Sequence, residues 1–256
     1  SDLHGEVMAA EGSSSRFVTV ERWPQGWTVM NVSTQRDDAP LGLAIDIGTT
    51  TVAVLLVELR TGRVLGRATA MNRQATIGDD VLTRINACLV KPRTVQVMQR
   101  QVIEQTLAPL VERLLAERDI EPRRVKVMVA AGNTTMLHLL AGLDPSPMGV
   151  APFTPDFLDH RRIPARELGW PMDAAVHLLP GASAYVGADL TAGACSTGLI
   201  YDEQPTVLAD IGTNGEMVLK VGDEMWGCAT AAGPAFEGVG LTSGMAAARG
   251  AIDRVA

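Results

Sequence analysis

The sequence predicts a mixed α/β protein in which two β-hairpins of one design sit in separate sheets flanked by helices. Three observations carry that prediction. The string Asp-Ile-Gly-Thr occurs at Asp46-Ile47-Gly48-Thr49 and again at Asp210-Ile211-Gly212-Thr213, about 160 residues later. Each copy lies between two apolar runs, 41–45 and 52–57 around the first and 206–209 and 217–221 around the second. An apolar run, a Gly-centred turn and a second apolar run form a hairpin signature. Between the copies, an amphipathic stretch at 94–117 leads into a buried strand at 125–130, as expected of helices packed on a sheet. The 256 residues, 46% of them hydrophobic, suffice for one large or two modest domains.

Residues 16–20 and 27–32 read as strands around the turn Trp23-Pro24-Gln25-Gly26, and Asp37-Asp38-Ala39-Pro40 reads as a linker. Residues 1–40 are therefore expected to be the tail of a preceding domain and its linker. The first hairpin follows, then the turn Arg60-Thr61-Gly62-Arg63 and a third strand at 64–70, which completes a meander. The polar run from Met71 to Asp80 either lines a cleft or caps a helix at 81–89. Asp79 and Asp80 suit helix N-terminal chemistry.

One long helix is expected over 94–117, with Val95, Met98, Val102, Leu107, Leu110, Leu114 and Leu115 as a core stripe and a kink at Pro109. The strand at 125–130 runs into Gly132-Asn133-Thr134-Thr135, which sets polar donors at a helix N-terminus. That arrangement fits an anion or substrate contact, and it fits a plain N-cap. His138, in an apolar helix, reads as a core histidine. Residues 144–172 are Pro-rich and read as a long loop that covers a cleft or faces a partner. A strand at 175–179, a helix at 187–198 with Asp189 at its start, and a strand at 224–230 complete the series.

The hairpin turns have distinctive chemistry. Glycine lets backbone N–H groups approach a ligand closely. Thr and Asn add donors, and an Asp at the strand end suits a hydrated Mg²⁺ ion. A duplicated turn of this kind is suited to gripping one phosphate chain from two sides. The net charge of −7 argues against nucleic acid as a partner. No apolar run approaches the roughly 20 residues that span a bilayer, and Ser1-Asp2-Leu3-His4 has no signal pattern. Cys88, Cys195 and Cys228 are scattered, with no metal or iron–sulfur spacing. They are expected to be buried structural thiols in a reducing cytoplasm. Gly238, Gly240 and Gly244 lack the strand–turn–helix setting of a dinucleotide fingerprint, and no Walker lysine loop is present.

The paired loops resemble the phosphate-1 and phosphate-2 motifs of the actin, sugar-kinase and heat-shock-chaperone ATPase superfamily. That resemblance implies ribonuclease-H-like cores, with a first ATPase subdomain at 41–200 and the start of a second at 201–256. It implies Mg–ATP between them. Gly48, Thr49, Thr50 and Thr51 would face Gly212, Thr213, Asn214 and Gly215 around the phosphates, with Asn133 and Gly233 as further nucleotide contacts. Asp46 and Asp210 would hold Mg²⁺ through water. Asp189 would orient or deprotonate the attacking water, or else simply favour the helix dipole. The adenosine segment is expected beyond Ala256.

A narrower resemblance rests on further strings: Met71-Asn72-x-Gln74, Gly78-x-Asp80-Val81, Gly132-Asn133-Thr134-Thr135-Met136-x-His138, Tyr185-Val186-Gly187-Ala188-Asp189 and Ala232-Gly233-Pro234-Ala235-Phe236-Glu237-Gly238. Over 41–256 the chain is similar to the reductive activators of corrinoid proteins. This implies a parent protein with a [2Fe–2S] domain that passes an electron to a Co(II) corrinoid protein and restores Co(I) with the help of ATP. The partner would be a corrinoid iron–sulfur protein or a methyltransferase corrinoid protein, and a homodimer fits the family. This chain has no cysteine run for the cluster, so it is expected to be an excised portion that binds ATP weakly and is inactive alone. Two alternatives stand beside this reading. One is a small-molecule kinase with its substrate near Asn133 and Asp189; the other is a non-catalytic nucleotide-dependent assembly module.

Overall fold

The structure, a computed structural model, describes residues 17–23, 26–33 and 40–231. Strands β1 (Phe17–Trp23) and β2 (Gly26–Ser33) pair antiparallel as a sheet of their own, as the sequence predicts. Pro24, Gln25, the linker residues Asp37 to Ala39, and the glycine-rich segment that carries Gly233, Gly238, Gly240 and Gly244 lie outside the described residues.

The main sheet starts with a meander of β3 (Leu41–Ile47), β4 (Thr51–Glu58) and β5 (Arg63–Met71). It continues with β6 (Val125–Gly132), β7 (Arg161–Pro164) and β8 (Ala175–Leu178). The strand order is β5-β4-β3-β6-β8-β7. Strands β3, β6 and β8 are parallel, and β7 closes the edge antiparallel to β8. Three antiparallel strands followed by two parallel ones beside the first make a ribonuclease-H-like core. The helices are α1 (Val81–Val90), α2 (Thr94–Val102), α3 (Ala108–Ala116), α4 (Thr134–Ala141) and α5 (Ala188–Thr197). A second, antiparallel sheet contains β9 (Thr206–Ile211), β10 (Asn214–Val221) and β11 (Glu224–Ala231). Both predicted hairpins exist, each in its own sheet.

Strand alternation explains how the core and the site share β3. Leu43, Ile45 and Ile47 are buried, while Ala44 and Asp46 turn to the opposite face. The buried residues pack with Val52, Val54 and Leu56 of β4 and with Met98, Val102, Leu107 and Leu114 of the helical layer. The second sheet lays Val218 and Leu208 against Leu190 and Ala194 of α5.

Two expectations are corrected and one is refined. The helix expected over 94–117 runs unbroken from Thr94 to Ala116, with a π-helical turn at Ile103–Leu107 joining α2 to α3. Pro109 has no N–H, and its ring would meet the carbonyl of Gln105 in an unbroken α-helix; the wider turn relieves both. The loop at 144–172 contains β7, which pairs Arg161 with Leu178 and Pro164 with Ala175. Four residues are too few to show a period, and an edge strand tolerates Pro. Of the three free thiols only Cys88 is buried, and burial together with Asp144 pushes it up to about 11. Cys195 and Cys228 are exposed, on α5 and β11.

His138 is the core histidine expected. Its Nδ1 bonds the Thr134 carbonyl, its Nε2 accepts the Asp156 N–H, and its ring stacks on Phe157 at 4.5 Å. No helix among the described residues is long and apolar enough to cross a membrane.

Candidate functional site

The first loop, Gly48-Thr49-Thr50, joins β3 to β4. The Gly48 N–H donates to the Thr51 carbonyl at 3.0 Å. A Cβ at Gly48 would stand 2.5 Å from that same oxygen, so the turn closes only on glycine. The second loop, Gly212-Thr213, joins β9 to β10, and the Gly212 N–H donates to the Asn214 carbonyl at 2.8 Å. The two tips meet: the hydroxyls of Thr50 and Thr213 are buried and 2.9 Å apart. Asn133 is the N-cap foreseen, and its amide also faces the first loop. Its Oδ1 accepts the Met136 N–H and caps α4, while its Nδ2 donates to Thr49 Oγ1 at 3.1 Å. Thr51 begins β4 with its side chain exposed, and Asn214 and Gly215 begin β10 half-buried.

Acidic groups collect beside the loops. Asp46 pairs in register with Ala53 on one side and Ala131 on the other, and these small side chains leave its carboxylate room. Asp210 of β9 lies directly across from Glu216 of β10. Asp189 sits in the first turn of α5, where its Oδ1 accepts the Leu190 N–H at 2.9 Å.

Each of three carboxyls is pushed up, first by surrounding protein and then by its neighbours. Asp46 is open to water at the surface, yet it is raised by desolvation and by Asp210. Asp189 rises to about 6 through burial, opposed by the Leu190 N–H and reinforced by Asp210 and Asp46. Glu216 rises to about 7 through burial, Asp189 and Asp210. Carboxylates from four elements therefore repel one another across a shared space, which favours a cation there. Among the described residues no three His, Cys, Asp or Glu are placed to hold a metal directly. A cation in this space would keep water ligands, as Mg²⁺ commonly does.

The approach of α5 is tight. A Cβ on Gly187 would come within 2.5 Å of Asn133 Cα and 2.8 Å of Asp189 Oδ1. Gly187→Ala is therefore expected to displace the start of α5 and to destabilise the protein by about 1–3 kcal/mol. A thermal melt showing no loss would contradict that packing.

A polar cluster that sequence reasoning missed stands behind the first loop. Arg84 of α1 is fully buried. It donates from Nη2 to the Thr49 carbonyl (2.6 Å), from Nε to the Gly78 carbonyl (2.8 Å) and from Nη1 to Gln74 Oε1 (3.1 Å). Burial pulls its pKa down to about 10 against Asp79 and Asp80, so it stays cationic at neutral pH. Asn72 donates from Nδ2 to the Gly48 carbonyl (2.9 Å) and from its backbone N–H to the Thr50 carbonyl (2.8 Å). Within the run 71–80, Asp80 caps α1 through Thr83, while Asn72 and Gln74 turn inward. The missed signal was an arginine set on the apolar stripe of Val81, Ile85 and Cys88.

A cavity of about 670 Å³ opens next to the loops, lined by Asn133, Thr135, Tyr185, Thr213, Glu216 and Cys228 among others. The Thr135 hydroxyl is buried there without a hydrogen-bond partner. The structure thus brings together both loops, Asn133, Asp46, Asp210 and Asp189; Gly233 lies outside the described residues.

Comparison with known proteins agrees with this arrangement. A family model described as the RACo middle region matches residues 41–202, and one described as the C-terminal domain of RACo, the ASKHA domain, matches residues 204–256. The chain is 33% identical over 225 residues to the corrinoid activation enzyme RamQ of Eubacterium limosum, covering 87% of this chain and 37% of that protein. It is 28% identical to the [Co(II) methylated amine-specific corrinoid protein] reductase of Methanosarcina barkeri, covering 82% of this chain and 40% of that protein. A solved structure titled reductive activator for corrinoid,iron-sulfur protein superimposes with a TM-score of 0.88 at 38% identity. It covers 94% of this chain and 38% of its own. The chain thus spans about two-fifths of the length of these relatives. With its main sheet in ribonuclease-H-like order and family models matched across that sheet and the β9–β11 sheet, the chain belongs to the RACo family, the reductive activators of corrinoid proteins.

Proposed function

We propose that this chain is the ATP-binding portion of a protein that returns Co(II) corrinoid proteins to Co(I), using electrons from a [2Fe–2S] domain outside the chain. The observation that carries the reading is the Thr50–Thr213 contact, which sets two copies of one glycine turn against each other. Family membership and the names of the relatives support the corrinoid partner. The residues fit Mg–ATP because the crowded acids call for a cation beside the two glycine turns.

In this reading Gly48, Thr49, Thr50 and Thr51 hold phosphate oxygens from one side. Gly212, Thr213, Asn214 and Gly215 hold them from the other, and Asn133 and Gly233 add contacts. Asp46 and Asp210 bind Mg²⁺ through water. The ion, when bound, neutralises charge on the phosphate oxygens. Asp189, ionised above about pH 6, accepts the proton of the attacking water. ATP shifts the protein between closed and open forms only by its differential affinity for the two. Loops that grip from both sides supply that difference, because release of the γ-phosphate removes one set of contacts.

The test uses the full-length protein, a Co(II) corrinoid protein and a low-potential electron donor, with corrinoid absorbance followed with and without Mg–ATP. Co(I) is expected only with ATP. No ATP-dependent change across several corrinoid partners would overturn the reading. The cavity beside Asn133 and Glu216 favours a second reading, a small-molecule kinase. A phosphorylated product from a hydroxyl or carboxyl compound would select it.

A further inference from the structure

The three carbonyls of the first loop are all held from one side. Gly48 O accepts from Asn72 Nδ2, Thr49 O from Arg84 Nη2, and Thr50 O from the Asn72 N–H. In a planar trans peptide the C=O and the following N–H point in opposite directions. Pulling the Gly48 and Thr49 carbonyls back therefore turns the N–H groups of Thr49 and Thr50 the other way. The second loop stands beside this stretch, with the Thr213 hydroxyl 2.9 Å from that of Thr50. Successive N–H groups turned to one side form an anion-binding concavity.

The tether is itself rigid. Gln74 Oε1 accepts from Arg84, and Gln74 Nε2 donates to the Met98 carbonyl at 3.0 Å. Arg84 also holds the Gly78 carbonyl. The guanidinium has no freedom to follow a moving loop, and its positive charge stays behind the loop in a buried setting where screening is weak.

We propose that Arg84, together with Asn72, is the positioning unit of the first phosphate loop: it presets the peptide planes that receive phosphate and backs them with a buried positive charge. This rests on the reading of the loop as a phosphate site. Arg84 touches no ligand; it acts through the peptide it holds.

The test measures affinity of the full-length protein for Mg–ATP and for adenosine by calorimetry, in Arg84→Gln, Arg84→Lys and Asn72→Ala. Thermal melts establish the folded fraction. Arg84→Gln is expected to weaken Mg–ATP about tenfold or more while adenosine affinity stays unchanged, in line with loss of a charge-assisted bond. Arg84→Lys keeps the charge and one of the bonds, and should fall between wild type and Arg84→Gln. Asn72→Ala frees the Gly48 carbonyl, and with it the Gln74 N–H that the Asn72 side chain caps, and should weaken Mg–ATP a few fold. A merely structural arginine would lower the melting temperature and leave the affinity of the folded protein where it was; that result would overturn the proposal. If Arg84→Gln does not fold, Arg84→Lys and Asn72→Ala decide the matter. Wild-type protein that binds adenosine but not Mg–ATP would instead sink the phosphate reading itself.

Discussion

Asp189→Asn in the full-length protein is expected to slow Mg–ATP hydrolysis by about 10²–10⁴-fold, the usual contribution of a general base, while changing ATP affinity only a few fold. The substitution keeps the shape of the side chain and the acceptor oxygen that meets the Leu190 N–H at 2.9 Å. It removes the group that accepts a proton. Burial and the neighbouring Asp210 and Asp46 place the carboxyl at about 6. The wild-type single-turnover rate should therefore rise with pH as this carboxyl ionises and then level off, and the variant should lose that step. Asp189→Asn with the wild-type rate and pH profile would leave Asp189 with only a helix-terminal role.

Asp210→Asn is expected to abolish ATP-dependent Co(I) formation, by about 100-fold or more if it removes a ligand sphere of the cation, and yet to raise the stability of the nucleotide-free protein. Asp210 faces Glu216 across β9 and β10, and like charges directly opposite are destabilising. The sign follows from linkage. Asp189 and Glu216 have folded pKa values of about 6 and about 7, above their ordinary values. Their contribution is fully present below the unfolded carboxyl range and is lost as pH rises through 6 and 7. Nucleotide-free protein should thus lose on the order of 1–3 kcal/mol between about pH 4 and pH 7.5. The loss should be smaller in Asp210→Asn, where one repelling charge is gone. Denaturant melts at several pH values read this directly. A variant that is less stable than wild type at pH 7 would show that Asp210 is held by partners and not opposed by them.

The second expectation trades stability for a site. Acids that repel one another in the empty protein are what a cation-dependent nucleotide site requires.

How much of this was legible in the chain differs from element to element. The two hairpins, the meander, the strand at β6 and the helices at α1 and α5 were readable, because each is a local pattern: a period of two or of 3.6 bounded by Gly, Pro or a capping Asp. The duplicated Asp-Ile-Gly-Thr named the loop residues and Asp46 and Asp210 for the same reason. The π turn at Ile103–Leu107 was not readable, since the apolar spacing carries on across it and only the local geometry around Pro109 widens the helix there. Strand β7 was hidden because a four-residue edge strand exists only through its partner β8. Exposure of Cys195 and Cys228 depends on which face of α5 and β11 meets a neighbour.

By itself the sequence determined what local chemistry determines: which segments are strands and helices, which turns need glycine, and which residues carry donors and carboxylates. Only the tertiary structure decided what those groups do to each other. It set Thr50 against Thr213 across 163 residues and placed Asp189, Asp46, Asp210 and Glu216 within reach of one another's charge. It also buried Arg84 behind a loop that begins 36 positions earlier in the chain, at Gly48. Hydrogen bonds and electrostatic repulsion depend on distance in space, and no pattern along the chain encodes that distance until the sheets have formed.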